Sequence, residues 1–335
     1  MPTLPVTTLY PLEKNLREEM ADLDVVQHLS RAITGLGVDE RSLVEVLSKS
    51  NHGHITSFRK SSNHIFSEDE RSFERWNDDH IELLRHEFLR FKNAMVLWTM
   101  HPWERDARIL KESLTEGPVA YSVIVEVACT RTSEELLGAR KAYHSLYDLS
   151  IEEDVAIHVE GCGRKLLVAL VSAYRYEGSK FKPEAVESEA TDLLSIIKDS
   201  GEGKNPTENE EAIRILSTRS KPHLKAVYDK CNEMSGSIIV ENLDESNYLL
   251  KATIECLCTP PTYFTKVLFD AKQAEADQRT KTSLTRVVVT RADVDMEEIK
   301  EKYSKTHGGS LEEKIEATAN GNYKEFMLAL INREK

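Results

Sequence analysis

Val46-Leu47-Ser48-Lys49-Ser50, Ala128-Cys129-Thr130-Arg131-Thr132, Ile215-Leu216-Ser217-Thr218-Arg219-Ser220 and Val288-Val289-Thr290-Arg291-Ala292 are four copies of one string. Each runs from an apolar pair through Thr or Ser to a basic residue, usually followed by a small polar one. The basic anchors at 49, 131, 219 and 291 stand 82, 88 and 72 residues apart. Each anchor closes an apolar stripe: Leu43/Val46/Leu47, Ile124/Val127/Ala128, Ile213/Leu216 and Leu284/Val287/Val288. The i, i+3, i+4 spacing is that of one face of an amphipathic helix. A second apolar helix follows each anchor. Arg131 to Leu166 and Arg291 to Phe326 are each 35 residues, and Arg219 to Leu250 is 31. Lys49 to Met95 is 46, so the first unit carries about eleven extra residues, placed near Asn51–Asp79. A period this long is helical, too long for tetratricopeptide or ankyrin units, and needs several helices per copy to bury its stripes.

Composition agrees with an all-α chain. Of 335 residues only 14 are Gly and 10 are Pro, which favours long helices over a β-sandwich. The apolar fraction of 40% supports real cores. A net charge of −13 argues against nucleic-acid partners, because phosphates repel an acidic surface. The apolar runs at Asn93–Met100 and Leu166–Val171 are too short to span a membrane. No basic segment leads into an apolar one at the N-terminus, which predicts no secretory signal. Five cysteines without a CxxC pair fit a reduced, cytosolic compartment. The repeats divide the chain into a tail at 1–20 and units at 21–100, 101–180, 181–262 and 263–335. The stretches Tyr176–Pro183 and Asp199–Asn209 suggest two halves of two repeats, cut between the second and the third.

Thr34-Gly35-Leu36-Gly37-Val38-Asp39-Glu40 resembles the annexin loop K-G-x-G-T-D-E, and the four Thr-Arg-Ser-like strings resemble the annexin helix-end signature. His101-Pro102-Trp103-Glu104-Arg105-Asp106-Ala107-Arg108 and Ala139-Arg140-Lys141-Ala142-Tyr143-His144-Ser145-Leu146-Tyr147 are similar to plant annexins, in particular their divergent type-four branch. The resemblance covers nearly the whole chain. It implies four repeats of about five helices in a curved disc, with calcium and membrane on the convex face.

The loop chemistry follows from what calcium requires. The ion takes roughly 6–8 oxygens, carbonyl and carboxylate alike. Two glycines one residue apart let successive carbonyls turn to one point. Ile33, Gly35 and Gly37 would give three carbonyls and Glu87 two carboxylate oxygens, leaving room for water or a lipid phosphate. The repeat context and Asp39-Glu40 favour this over a plain interhelical turn. Glu82 is the fallback acid, because Phe88-Leu89-Arg90 lacks the Gly that usually follows the ligand. The Val38 carbonyl and Glu40 would take a second, weaker ion. Val38 stands where annexins have Thr and cannot cap a helix, so Asp39 takes that part. As an unpaired exposed carboxylate, Glu87 would contribute little to stability without calcium. Leu36, at the loop tip, is expected to touch the acyl boundary.

The matching positions elsewhere are Val119 and His158 in repeat two, with Gly117-Pro118 for GxG, and Arg279 and Thr318 in repeat four. Neither pair offers the usual ligands. Repeat three has Thr207 and Asn242, with Gly201-Glu202-Gly203, Asp244 and Glu245 nearby.

Rival chemistry is weak. Five of 11 histidines lie between His52 and His86, without the i, i+4 spacing of a helical metal pair. Arg279-Thr280-Lys281-Thr282-Ser283 lacks the glycines of a phosphate loop. Ile213-Arg214-Ile215 matches a string tied to actin binding in plant annexins, against a reading as core positions flanking a solvated Arg. Cys256-x-Cys258 reads as two buried helix cysteines. The expectation is a cytoplasmic protein, peripheral on anionic phospholipid when Ca2+ rises. The alternatives are a peroxidase or nucleotide hydrolase, or a scaffold for F-actin or other annexins.

Overall fold

A computed structural model describes residues 24–69, 74–199, 205–271 and 277–333. The first repeat has helical residues 24–33 (α1), α2 (Glu40–Lys49), α3 (His52–Ser61), a hairpin of β1 (Phe66–Glu68) and β2 (Glu74–Trp76), and α4 (Asp78–Thr99). The second has α5 (Pro102–Glu116), α6 (Tyr121–Thr130), α7 (Ser133–Tyr147), α8 (Ile151–His158) and α9 (Arg164–Val171). The third has α10 (Pro183–Asp199), α11 (Glu210–Thr218), α12 (Lys221–Ser235), a 3-10 turn at Ile239–Asn242 and α13 (Tyr248–Cys258). The fourth has α14 (Pro260–Asp270), α15 (Gln278–Arg291), α16 (Met296–His307), α17 (Leu311–Thr318) and α18 (Gly321–Ile331).

The caps explain where helices start. Thr132 with Glu135, Ser150 with Glu153 and Ser310 with Glu313 form reciprocal capping boxes. Asp39 caps α2 by accepting from the Ser42 N–H at 3.1 Å. The recurring basic anchor has a structural reason too. Arg131 closes α6 and donates to both oxygens of buried Asp106 on α5, at 2.6 and 2.8 Å. Arg219 closes α11 and donates to Glu189 on α10. Arg291 grips Asp295 instead, and Lys49 reaches only exposed Glu45.

The first repeat departs from the others inside the lengthened stretch. The hairpin pairs Phe66 with Trp76, and their rings lie 4.5 Å apart over a small core of Leu29, Phe58 and Ile65. The single 22-residue α4 follows where the second and fourth repeats each have two short helices.

Two compact units form, and they are not the halves suggested by the linkers. One joins the described residues up to Trp98 with those from Val267 onward; the other is Thr99–Lys266. The first repeat therefore shares a unit with the fourth, and the second with the third. A linker is a local property, whereas compactness depends on contacts between residues far apart in sequence. In the second unit α6 packs on α13 and α5 on α7, with Ile124, Tyr143, Leu166 and Leu250 fully buried. In the first unit α15 packs on α18 around Leu284, Val288, Tyr323 and Met327. The tail at 1–20 and the Gly201-Glu202-Gly203 loop lie outside the described residues.

Candidate metal centre

The loop between α1 and α2 needs both of its glycines. Gly35 and Gly37 have φ of +105° and +79°, a region that side chains disfavour. They also sit against the fourth repeat. A Cβ at Gly35 would lie 2.6 Å from the Thr318 carbonyl oxygen, and one at Gly37 would lie 2.9 Å from the Tyr323 Cβ. Between them Leu36 makes a one-residue parallel bridge to Ala319. Its N–H donates to the Thr318 carbonyl at 2.8 Å, and its own carbonyl accepts from the Asn320 N–H at 2.8 Å. The Asn320 side-chain amide donates to the Thr34 carbonyl, and the Asp39 N–H to that of Ala32 at 2.9 Å. The carbonyls of residues 32, 34 and 36 are thus engaged. Those of Ile33, Gly35 and Gly37 accept none of the described loop hydrogen bonds.

Glu87, 50 residues further on, reaches this loop from α4. Its Oε2 accepts from the Gly37 N–H at 2.6 Å. The same carboxylate is gripped by Arg90, one helical turn later. Arg90 Nε donates to Oε2 at 2.5 Å and Nη2 to Oε1 at 2.6 Å. Gln278, at the start of α15, accepts from Arg90 Nη2 at 2.9 Å. The guanidinium also lies 5.8 Å from the centre of the Tyr323 ring. Both partners are buried, with 7% of Glu87 and 5% of Arg90 exposed. Burial alone would raise the Glu87 carboxyl, but the Arg90 hydrogen bonds and charge, with the Gly37 N–H, hold it below the usual range. Burial likewise opposes the charge on Arg90, and Glu87 overcomes it and raises the guanidinium.

In kind, the donor set suits calcium: three carbonyls with no loop partner and one carboxylate touching the same loop. The carboxylate is nonetheless paired on both oxygens. Arg90, Gln278 and Asn320 are the residues that sequence reasoning missed. The signal for Arg90 was present as an opposite charge three residues after Glu87 on a helix.

Several expectations are corrected. Leu36 is not at an exposed tip: it is 4% exposed, because the bridge to Ala319 turns it into the unit. From there it does not reach a membrane. Glu87 is neither exposed nor unpaired. Glu82, the fallback, is exposed and pairs with Arg85. Arg214 is not simply solvated, because it donates to Glu211 and to buried Glu189. Val38 is buried, and its carbonyl abuts Gly321, where a Cβ would lie 2.2 Å away. Glu40 is half-buried at the start of α2.

The matching positions of the other repeats are engaged in structural contacts. His158 bonds Asp154, and Tyr121 donates to the His158 carbonyl at 2.8 Å. Thr318 receives Leu36, and buried Thr207 donates to the Cys162 carbonyl at 3.1 Å. Asn242 donates to Ser237, and Asp244 caps the turn before α13. The loop of repeat one thus packs on the end of repeat four, and that of repeat three on the end of repeat two. Among the described residues no three His, Cys, Asp or Glu side chains gather as a metal cluster.

Known proteins share this architecture. The annexin family profile matches residues 105–170 and 270–330. Annexin D4 of Arabidopsis thaliana is 48% identical over 314 residues, covering 92% of this chain and 98% of that protein. The chain belongs to the annexin family. Annexin-like protein RJ4 of Fragaria ananassa is 37% identical over 313 residues, covering 91% of this annexin and 94% of its relative. Among solved structures, chicken annexin V superposes with a TM-score of 0.65 at 26% identity, covering 93% of this chain and 96% of that one. Family membership brings calcium-dependent phospholipid binding as the general activity, with Ca2+ as the ion.

Proposed function

We propose that this annexin binds anionic phospholipid through the loop of its first repeat. The Ile33, Gly35 and Gly37 carbonyls and the Glu87 carboxylate would hold the ion, and the Val38 carbonyl with Glu40 a second, weaker one. The observation that carries the reading is the Gly37 N–H···Glu87 contact, which brings a carboxylate from across 50 residues to the one loop with the Gly-x-Gly spacing. Calcium, when bound, supplies positive charge between the protein carboxylate and the lipid phosphate.

The chain's own residues do the rest. Gly35 and Gly37 let the loop bend, Asn320 and Thr318 hold its alternate carbonyls and N–H groups, and Asp39 fixes the following helix. A net charge of −13 keeps the protein off an anionic surface until the loop is charged by calcium, which makes attachment a switch. Attachment of this kind is peripheral, on the cytoplasmic face, when calcium rises. Among the described residues no helix is long and apolar enough to cross a membrane.

Co-sedimentation with phosphatidylserine vesicles across a calcium series tests the proposal. Glu87→Gln should raise the calcium needed for half-sedimentation about ten- to hundredfold, the loss of one charged contact of about 1.5–3 kcal/mol. Glu82→Gln should sediment like wild type. The reverse pattern would assign the ligand to Glu82.

A further inference from the structure

Arg90 occupies both oxygens of the carboxylate that the proposed calcium site needs. A calcium ion gripped in bidentate fashion by Glu87 and a guanidinium gripped in bidentate fashion by Glu87 exclude one another, because each uses Oε1 and Oε2 together. Arg90 is not a stray surface contact. Gln278 from the fourth repeat bonds it, the Tyr323 ring lies beside it, and it is buried. Tyr323 is itself pinned by a 2.8 Å hydrogen bond to Thr285.

We infer that Arg90 is a resident cation that competes with calcium for Glu87 and so sets the calcium concentration at which the first repeat responds. This rests on the assignment of the first-repeat loop as the calcium site. Loading then requires the guanidinium to leave Glu87 and find new partners, a cost charged against every calcium ion bound. The site responds only to calcium high enough to displace Arg90, and the bond from Gln278 links that threshold to the fourth repeat. Without calcium, the same pair keeps the loop neutral and closed.

Calcium titration calorimetry on the full chain, without lipid, reads the threshold directly. Arg90→Gln should tighten calcium binding by about tenfold or more, since an interaction that calcium must break has been removed. It should also melt earlier than wild type without calcium and regain more of its Tm when calcium is added. Gln278→Ala leaves the ion pair in place and loosens Arg90 by one hydrogen bond, so it should tighten binding by about threefold. It also serves if Arg90→Gln folds poorly.

The double variant Glu87→Gln with Arg90→Gln should bind no tighter than Glu87→Gln alone, which shows that Arg90 acts through Glu87. Unchanged or weaker binding in folded Arg90→Gln, or in Gln278→Ala where that variant must stand in, overturns the inference. If Glu87→Gln binds calcium like wild type, the loop assignment fails. If Glu87→Gln loses calcium while the Arg90 and Gln278 variants match wild type, the loop assignment stands and only the competition fails.

Discussion

Replacing Glu87 with Gln changes more than a metal ligand. Glu87 Oε1 receives Arg90 Nη2 and Gln278 Nε2, and Oε2 receives Arg90 Nε and the Gly37 N–H. Whichever side the new amide NH2 takes, it faces two donors and cannot accept from either. Removing one partner of a buried ion pair costs about 3–5 kcal/mol, because the other charge stays buried. Gln keeps one acceptor oxygen, worth about 0.5–1.5 kcal/mol. The net loss is about 2–4 kcal/mol. At about 2–4 °C per kcal/mol for a unit of this size, calcium-free Tm should fall on the order of 5–15 °C. Differential scanning calorimetry in chelator measures it. Replacing Arg90 with Gln as well should recover part of the loss, since two neutral amides leave no unpaired charge. A calcium-free Tm for Glu87→Gln within about 1 °C of wild type would falsify the pairing, and with it the reasoning about Arg90. Vesicle experiments with Glu87→Gln therefore belong well below its lowered Tm.

Other outcomes follow from the same contacts. Gly35→Ala should destabilise by more than about 1–2 kcal/mol, because a left-handed φ is compounded by a backbone oxygen 2.6 Å from the new Cβ. Gly117→Ala, at φ +80° with nothing within 4 Å, should cost only the conformational part; equal losses in thermal melts would refute the packing of the loop on Thr318. The carboxyls of Glu87, Asp154 and Glu189 are all held below their usual range by hydrogen-bonded cationic partners that outweigh burial. Their stabilisation is complete above the ordinary carboxylate range near about 4 and is lost as pH falls through and below it. Denaturant midpoints should drop between pH 5 and pH 3, and midpoints that hold steady there would contradict the pairings. Arg214→Ala should cost less than about 1 kcal/mol, as its pairs are partly exposed, and should leave F-actin co-sedimentation unchanged. A clear loss of sedimentation would make Ile213-Arg214-Ile215 a binding site.

The fold was legible because a four-fold repeat writes its helices four times. The stripes ending at Lys49, Arg131, Arg219 and Arg291 lie on α2, α6, α11 and α15. The extra length of the first repeat also left its mark in the spacing, and the hairpin lies within that stretch. Glu87 could be reached by counting, since it keeps a fixed offset from an apolar helix. What sequence could not show was contact between distant segments. Leu36 has the place of a loop tip in the sequence, yet its backbone is bonded to Thr318 and Asn320 in the fourth repeat. The union of the first repeat with the fourth rests on such contacts, and no linker announces it. Arg90 is a different case. Its charge and spacing from Glu87 were in plain view, but on a helix surface such a pair is worth only about 0.2–0.5 kcal/mol. Burial under Gln278 and Tyr323 turns it into a feature that decides how the site works.

The most direct test is a crystal structure of the full chain grown with calcium. The account predicts an ion at about 2.3–2.6 Å from the carbonyl oxygens of Ile33, Gly35 and Gly37 and from both oxygens of Glu87, with Arg90 turned away from the carboxylate. Calcium bound elsewhere in the chain, with Arg90 still gripping Glu87, would contradict it.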